Sequence, residues 1–185
     1  MTDKIRILQE QLGTIIKGKK EVTDKIIMAV LAKGHVLLED VPGVGKTTTA
    51  LALSRLMGMD FQRIQFTPDV VPSDVTGFTM YQKETGTFVY RPGAVMCNFL
   101  LADEINRTSS KTQAALLEVM EEGRVTVDGE THEVPKPFVV LATENPVGSS
   151  GTQMLPESQL DRFMVSLSMG YPDHESLVEI LRDRQ

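Results

Sequence analysis

Residues 34–49 read GHVLLEDVPGVGKTTT. A short apolar run, Val36-Leu37-Leu38, has the length and character of a buried strand. A tight loop, Pro42-Gly43-Val44-Gly45, follows it, and Lys46-Thr47 opens a helix. Strand, glycine loop, Lys-Thr and helix make up a phosphate-binding loop. Gly43 and Gly45 let the backbone turn without Cβ clashes, so successive N–H groups converge on an anion. The helix N-terminus adds partial positive charge behind them. Lys46 supplies a point charge for the outer phosphates, and the Thr47 hydroxyl is a Mg²⁺ ligand. The full pattern G-x-x-x-x-G-K-[ST] wants a glycine where this chain has Asp40. A glycine-rich turn before an ordinary helix would explain the glycines but gives no reason for Lys-Thr at the helix start.

The chain has 185 residues and a formal net charge of −6. Its length suits one domain, or one plus a fragment. With 41% hydrophobic and 24% charged residues it reads as an ordinary soluble globular protein. The apolar runs fall far short of the ~18 residues of a membrane span, and the amphipathic start MTDKIRILQEQ lacks a signal-peptide core. Cys97 is the one cysteine, so no intrachain disulfide exists, in accord with a cytoplasmic location. It sits beside an apolar run and reads as a small buried residue rather than a nucleophile. The acidic balance makes nucleic acid an unfavourable partner.

Around the loop the chain alternates short apolar strands with helices. Helical spacing predicts helices over 3–17 and 19–33, with Thr2 and Gly34 as caps, and a third over 46–57. Residues 61–66, 99–102, 138–143 and 165–168 read as further strands. Helices are expected over 109–122, with Ser110 and Gln113 at capping-box spacing, briefly over 157–160, and over 173–184. Glu84-Thr85-Gly86 and Asp128-Gly129 mark two hairpins. A loop expected to be mobile spans 145–152. This alternation predicts an α/β fold: a three-layer αβα sandwich around a mainly parallel five-stranded sheet, with hairpin inserts.

Phosphate binding alone hydrolyses nothing; a strand-end carboxylate pair must accompany it. Phe99-Leu-Leu-Ala-Asp103-Glu104 supplies one. Behind a phosphate loop, Asp103 would hold Mg²⁺ through water, and Glu104 would polarise the attacking water as general base. Asn145 follows the next apolar run, where an amide can orient that water or bond the γ-phosphate.

With these residues in place the chain resembles a MoxR-type AAA+ ATPase. The segments that carry the resemblance are GHVLLEDVPGVGKTT, LLADEINRTSSKTQAALLEVMEEGRVTVDGE, LATENP and LPESQLDRF. Together they run through nearly the whole chain, and that group often has a non-glycine at the Asp40 position. The resemblance implies Walker A over 40–47, Walker B over 99–104 and sensor 1 at Asn145. The expected catalytic set is Glu104, Asn145 and Arg162; the metal ligands are Thr47 and Asp103. The nucleotide-binding set is Asp40, Pro42, Gly43, Val44, Gly45, Lys46, Thr47 and Thr48, with Ile16 and Gly18. Arg162 would be an arginine finger serving a neighbouring subunit's ATP; a surface arginine paired with Asp161 or a nearby acid is its plainer reading. Arg107 has three readings: bridging subunits, holding Glu104 at rest, or starting a helix.

The resemblance further implies ATP and Mg²⁺ as cofactors and a homo-oligomeric ring, commonly a hexamer. It also implies a client protein, possibly carrying a von Willebrand factor A domain. The hairpins would face the pore, with Tyr81, Phe88 and Tyr90 as substrate contacts or as ordinary hairpin packing. Residues 1–170 would be the ATPase core and 171–185 the start of a truncated helical lid, so the chain alone is expected to bind nucleotide weakly and hydrolyse it poorly. The alternative function is a nucleic-acid-dependent motor of the helicase or helicase-loader type. A GTPase or nucleotide kinase lacks support, since no Asn-Lys-x-Asp guanine signature occurs. A non-catalytic scaffold would not need Lys46, Thr47, Asp103 and Glu104 together.

Overall fold

The computed structural model describes residues 2–39, 45–145 and 154–170. The helix expected over 173–184, the loop over 146–152 and the division at residue 171 lie outside them. Two N-terminal helices, α1 (Thr2–Ile15) and α2 (Lys20–Leu31), lead to strand β1 (Val36–Glu39). Then come α3 (Lys46–Leu56), β2 (Phe61–Gln65), α4 (Pro72–Thr76) and a hairpin of β3 (Gly77–Gln82) and β4 (Thr87–Pro92). Strand β5 (Phe99–Asp103), α5 (Ser110–Glu122) and a second hairpin, β6 (Arg124–Val127) with β7 (Glu130–Glu133), precede β8 (Val139–Glu144), α6 (Glu157–Leu160) and β9 (Val165–Leu167).

Five strands form one sheet in the order β2-β5-β8-β1-β9, and every pairing in it is parallel. The three central strands are apolar without a break because both faces are covered. Strand alternation divides their side chains between two cores. Val36, Leu38, Phe99, Leu101, Val139 and Leu141 pack with residues of α1, α2 and α3. Leu37, Leu100, Ala102, Val140 and Ala142 pack with α5 and with Val75 of α4 on the other face. This is the expected αβα sandwich. Cys97 is fully buried, and burial pushes its thiol up to about 12, so it is packing material.

Three local expectations are corrected. Gly34 does not cap α2 by a left-handed turn; Lys33 takes that conformation (φ 60°). Lys33 and Gly34 N–H donate to Val30 and Ala29 C=O, a Schellman closure. Gly34 is needed for space, since a Cβ there would stand 2.5 Å from the Met164 side chain. Ser109, not Ser110, caps α5, accepting from Thr112 N–H at 3.3 Å. Gln113 instead donates through Nε2 to Ile105 C=O at 3.0 Å. Finally, α4 was not expected. Its five residues carry no periodicity, and backbone bonds from Ala94 to Asp74 and from Val95 to Val75 hold it. Asp128 and Gly129 both have positive φ (50° and 84°), as the tight hairpin turn requires.

His35, just before β1, joins three elements. Val140 N–H donates to its Nδ1 at 3.0 Å, so Nε2 carries the proton and points at Met120 C=O, 3.2 Å away. A second proton would face the Val140 N–H. Burial lowers the imidazole pKa, with the Met120 bond opposing weakly. A His whose folded pKa is depressed binds fewer protons than the unfolded chain at acid pH. Its contribution is therefore present above the unfolded pKa of about 6.5 and is lost as pH falls below it. Urea denaturation across pH 7 to about 5 should show the parent losing stability more steeply than His35→Gln; identical slopes would remove this role.

Candidate active site

All five strands of the sheet run one way, so their carboxyl ends share one edge. Ligands of open parallel sheets bind there. Strands β1 and β8 end level with each other, Glu39 opposite Glu144, and β5 lies on the far side of β8. The connections after β1, β5 and β8 thus leave side by side.

Gly45 is the N-cap of α3 in a left-handed conformation (φ 94°) and brings no side chain to cap the helix. The N–H and hydroxyl of Thr49 both donate to Gly45 C=O at 2.9 Å, which closes the first turn. Lys46 is buried, Thr47 half-buried and Thr48 exposed on that turn. Asp40, Pro42, Gly43 and Val44 lie outside the described residues.

Asp103 ends β5, and both of its carboxylate oxygens are engaged. Thr143 of β8 donates its hydroxyl to Oδ1 at 2.7 Å, and Arg63 of β2 donates Nη2 to Oδ2 at 2.6 Å. The same Thr143 oxygen accepts the Glu104 N–H at 2.8 Å. Glu104 sits in the left-handed region (φ 56°, ψ 49°), which costs a non-glycine residue about 1–2 kcal/mol. Such a conformation persists only where its surroundings over-determine it. Here the Thr143 bond holds its N–H, Arg107 N–H takes its C=O at 2.9 Å, and Gln113 fixes the following turn. The kink ends the strand abruptly and keeps both acids at one edge. Arg107 Nη1 lies 2.8 Å from Glu104 Oε2, the contact that one of its three readings expects.

Asn145 is held by a residue that the sequence did not single out. Asn106, fully buried, donates Nδ2 to Asn145 C=O at 3.0 Å, and its Oδ1 faces the Asn145 N–H at 3.4 Å. The amide imitates one more strand pairing beyond β8. Ile16 is buried against α2 and α3, and Gly18 makes the turn between α1 and α2 (φ 70°). Lys19 ties that turn to the Met169 and Gly170 carbonyls, beyond the end of β9, at 2.6 Å each. Ile16 and Gly18 therefore stand toward the same edge of the sheet as α3.

Arg162 stands apart from this cluster. Val165 of β9 pairs with Val36, the first residue of β1, and Met164 N–H donates to His35 C=O. Arg162 therefore lies at the amino edge, roughly 10 Å of strand away from the end of β1. It pairs with neither Asp161 nor the cluster; its Nη2 meets Glu121 of α5 at 2.6 Å. Its Nε is buried without a hydrogen bond.

Four side chains that shape the site escaped sequence reading: Arg63, Asn106, Thr143 and Glu144. Thr143 and Asn106 stand beside residues that were read, and their partners are remote in sequence. Glu144 is buried on the sheet face opposite Thr143, and its Oε1 has no hydrogen bond. Burial raises its pKa, the Glu39 charge adds to that, and a bond from the Leu155 backbone opposes it.

The Asn106 clamp is testable. Asn106→Ala removes two buried hydrogen bonds and should lower the unfolding free energy by about 2 kcal/mol in urea denaturation. Unchanged stability would show that the clamp is not formed.

A family model for the ATPase family associated with various cellular activities (AAA) matches residues 35–165. YeaC of Bacillus subtilis (strain 168), an uncharacterized protein, is 57% identical over 172 residues, covering 93% of this chain and 54% of its own. The chaperone MoxR1 of Mycobacterium tuberculosis is 47% identical over 171 residues, covering 92% of this chain and 45% of its own. A crystal structure from Cytophaga hutchinsonii matches with a TM-score of 0.88 and 44% identity, over 97% of this chain and 55% of that one. The chain spans about half the length of the curated relatives it matches. With the αβα sheet and the strand-end acids beside a Lys-Thr helix start, these matches place the chain in the AAA family, as a MoxR-type AAA+ ATPase.

Proposed function

We propose that the chain is the ATP-hydrolysing core of a chaperone-like remodelling machine. The observation that carries this is the Asp103–Thr143–Glu104 arrangement at the same sheet edge as Gly45 and Lys46. Asp103 and Thr47 fit a Mg²⁺–ATP complex. Among the described residues no cluster of three or more His, Cys, Asp or Glu could form a cage of its own. Mg²⁺ is usually held by one or two protein oxygens plus phosphates and water, which is what this pair offers. The bound ion would neutralise charge on the phosphate oxygens.

The chain's own groups do the rest. Gly45 and the first turn of α3 offer N–H groups to the phosphates, and Lys46 adds a charge. Glu104 takes the proton of the attacking water, and the αL kink aims it. Asn145, placed by Asn106, orients that water. Arg107 holds Glu104 at rest until nucleotide draws the carboxylate away. Arg162 acts in trans: its own site is at the far edge, and its bridge to Glu121 is partly exposed and so weakly held. Ile16 and Gly18 border the base.

The same reading includes a homo-oligomeric ring, a hexamer, working in the cytoplasm where Mg·ATP is abundant. No described helix is long and apolar enough to cross a membrane. Its client is a protein, and one bearing a von Willebrand factor A domain is the class we propose. The first hairpin supplies a contact surface: Phe88 is 74% exposed and Tyr81 52%, their rings edge to face. Tyr90 instead stacks on His132 at 3.8 Å and joins the two hairpins, so the three aromatics divide between exposure and packing.

Two mutations test the reading. Glu104→Gln should keep ATP binding while slowing hydrolysis by about 10²-fold or more; turnover at the parent rate would refute the base. Arg162→Ala should cut hydrolysis by roughly 10³-fold in assembled rings, with little loss in dilute monomer. An equal loss in both states would place the arginine in cis.

A further inference from the structure

We propose that Arg63 is a resident counter-cation that holds the metal-ligating oxygen of Asp103 until a nucleotide-bound divalent cation displaces it. The inference rests on the nucleotide reading above and deepens it. Asp103 is a carboxylate whose side chain is only 12% exposed, and an ionised group so placed needs a partner. Thr143 satisfies Oδ1 with a neutral hydroxyl. Oδ2, the oxygen left for a metal, takes the Arg63 guanidinium at 2.6 Å. A cation therefore already stands against that oxygen.

The delivery of this cation is built into the sheet. Arg63 and Gln65 lie on one face of β2, and Gln65 is the register partner of Asp103. Gln65 Oε1 accepts from the same Arg63 Nη2 at 2.8 Å and aims it. Phe66 N–H donates to Asp103 C=O at 2.8 Å, which locks β2 to the end of β5. The Arg63 side chain is 45% exposed and leaves from an edge strand, so it can swing into solvent without opening the core. Two cations on one carboxylate oxygen repel, so an arriving hydrated ion and the guanidinium exclude each other. The backbone beyond Arg63 runs through Phe66 into α4 and the aromatic hairpin, so the arginine stands at the root of that insert. Arg63 is a positioning residue: it acts through Asp103.

The test uses the intact protein, with Mn²⁺ as a paramagnetic probe and a non-hydrolysable ATP analogue. Electron paramagnetic resonance measures the affinity of the protein–nucleotide complex for Mn²⁺, with folding checked by circular dichroism. Arg63→Gln should tighten Mn²⁺ binding roughly tenfold, the scale of one partly exposed charge-assisted hydrogen bond. Arg63→Lys, which keeps the charge but loses the fork, should fall between parent and Arg63→Gln. In an Asp103→Asn background, Arg63→Gln should change nothing, because the shared carboxylate is gone. Equal or weaker Mn²⁺ binding by Arg63→Gln overturns the proposal. So does an undiminished effect in the Asp103→Asn background, which would show long-range charge instead. If the parent binds analogue and Mn²⁺ yet ignores Arg63→Gln, only this inference fails; if the parent binds no nucleotide, the functional reading fails with it.

Discussion

One hydroxyl organises this edge of the molecule. Thr143 Oγ1 gives its proton to Asp103 and receives one from the Glu104 backbone, so a single atom on β8 sets both acids of β5. The first bond is charge-assisted and mostly shielded from water, which makes it stronger than a neutral one. The second holds a left-handed backbone in place. Neither bond exists unless β5 and β8 are parallel neighbours in one register, Leu101 beside Leu141 and Ala102 beside Ala142. The sheet is thus both the core of the fold and the frame that sets the two acids.

The charged residues divide between the two edges of that sheet. The acids, Lys46 and Asn145 gather at the carboxyl ends, while Arg162 enters at the amino end of β9. That arginine is engaged by Glu121 of α5, away from the acids of its own chain. The separation follows from strand polarity, since a short parallel strand divides the residue before it from the loop after its neighbour.

The charges near the site are held but not sealed. Glu104 with Arg107, Asp103 with Arg63, and Arg162 with Glu121 are ion pairs in which one partner is well exposed. Exposed pairs contribute little net stability and exchange readily. The uncharged side chains of Thr143, Asn106, Gln113 and His35 are buried. These uncharged polar groups are buried, whereas each ion pair has one member near water.

By itself, the sequence determined the αβα class, the order of the sheet strands and both hairpins, and it marked Lys46, Thr47, Asp103 and Glu104 as candidates. These signals are local: continuous apolar runs, helical spacing, Asp-Gly, and a glycine loop before Lys-Thr. Only the tertiary structure decided which polar neighbours matter. Arg63, Asn106 and Thr143 act across 39 or 40 positions of chain, through contacts that exist only after the strands align. Gly34 was legible as a special position, yet its reason is the Met164 side chain, just ahead of a strand far downstream. Short-range pattern names the elements because backbone geometry repeats within them. Partners across a sheet follow from register, which hydrophobic burial sets collectively and no single stretch encodes.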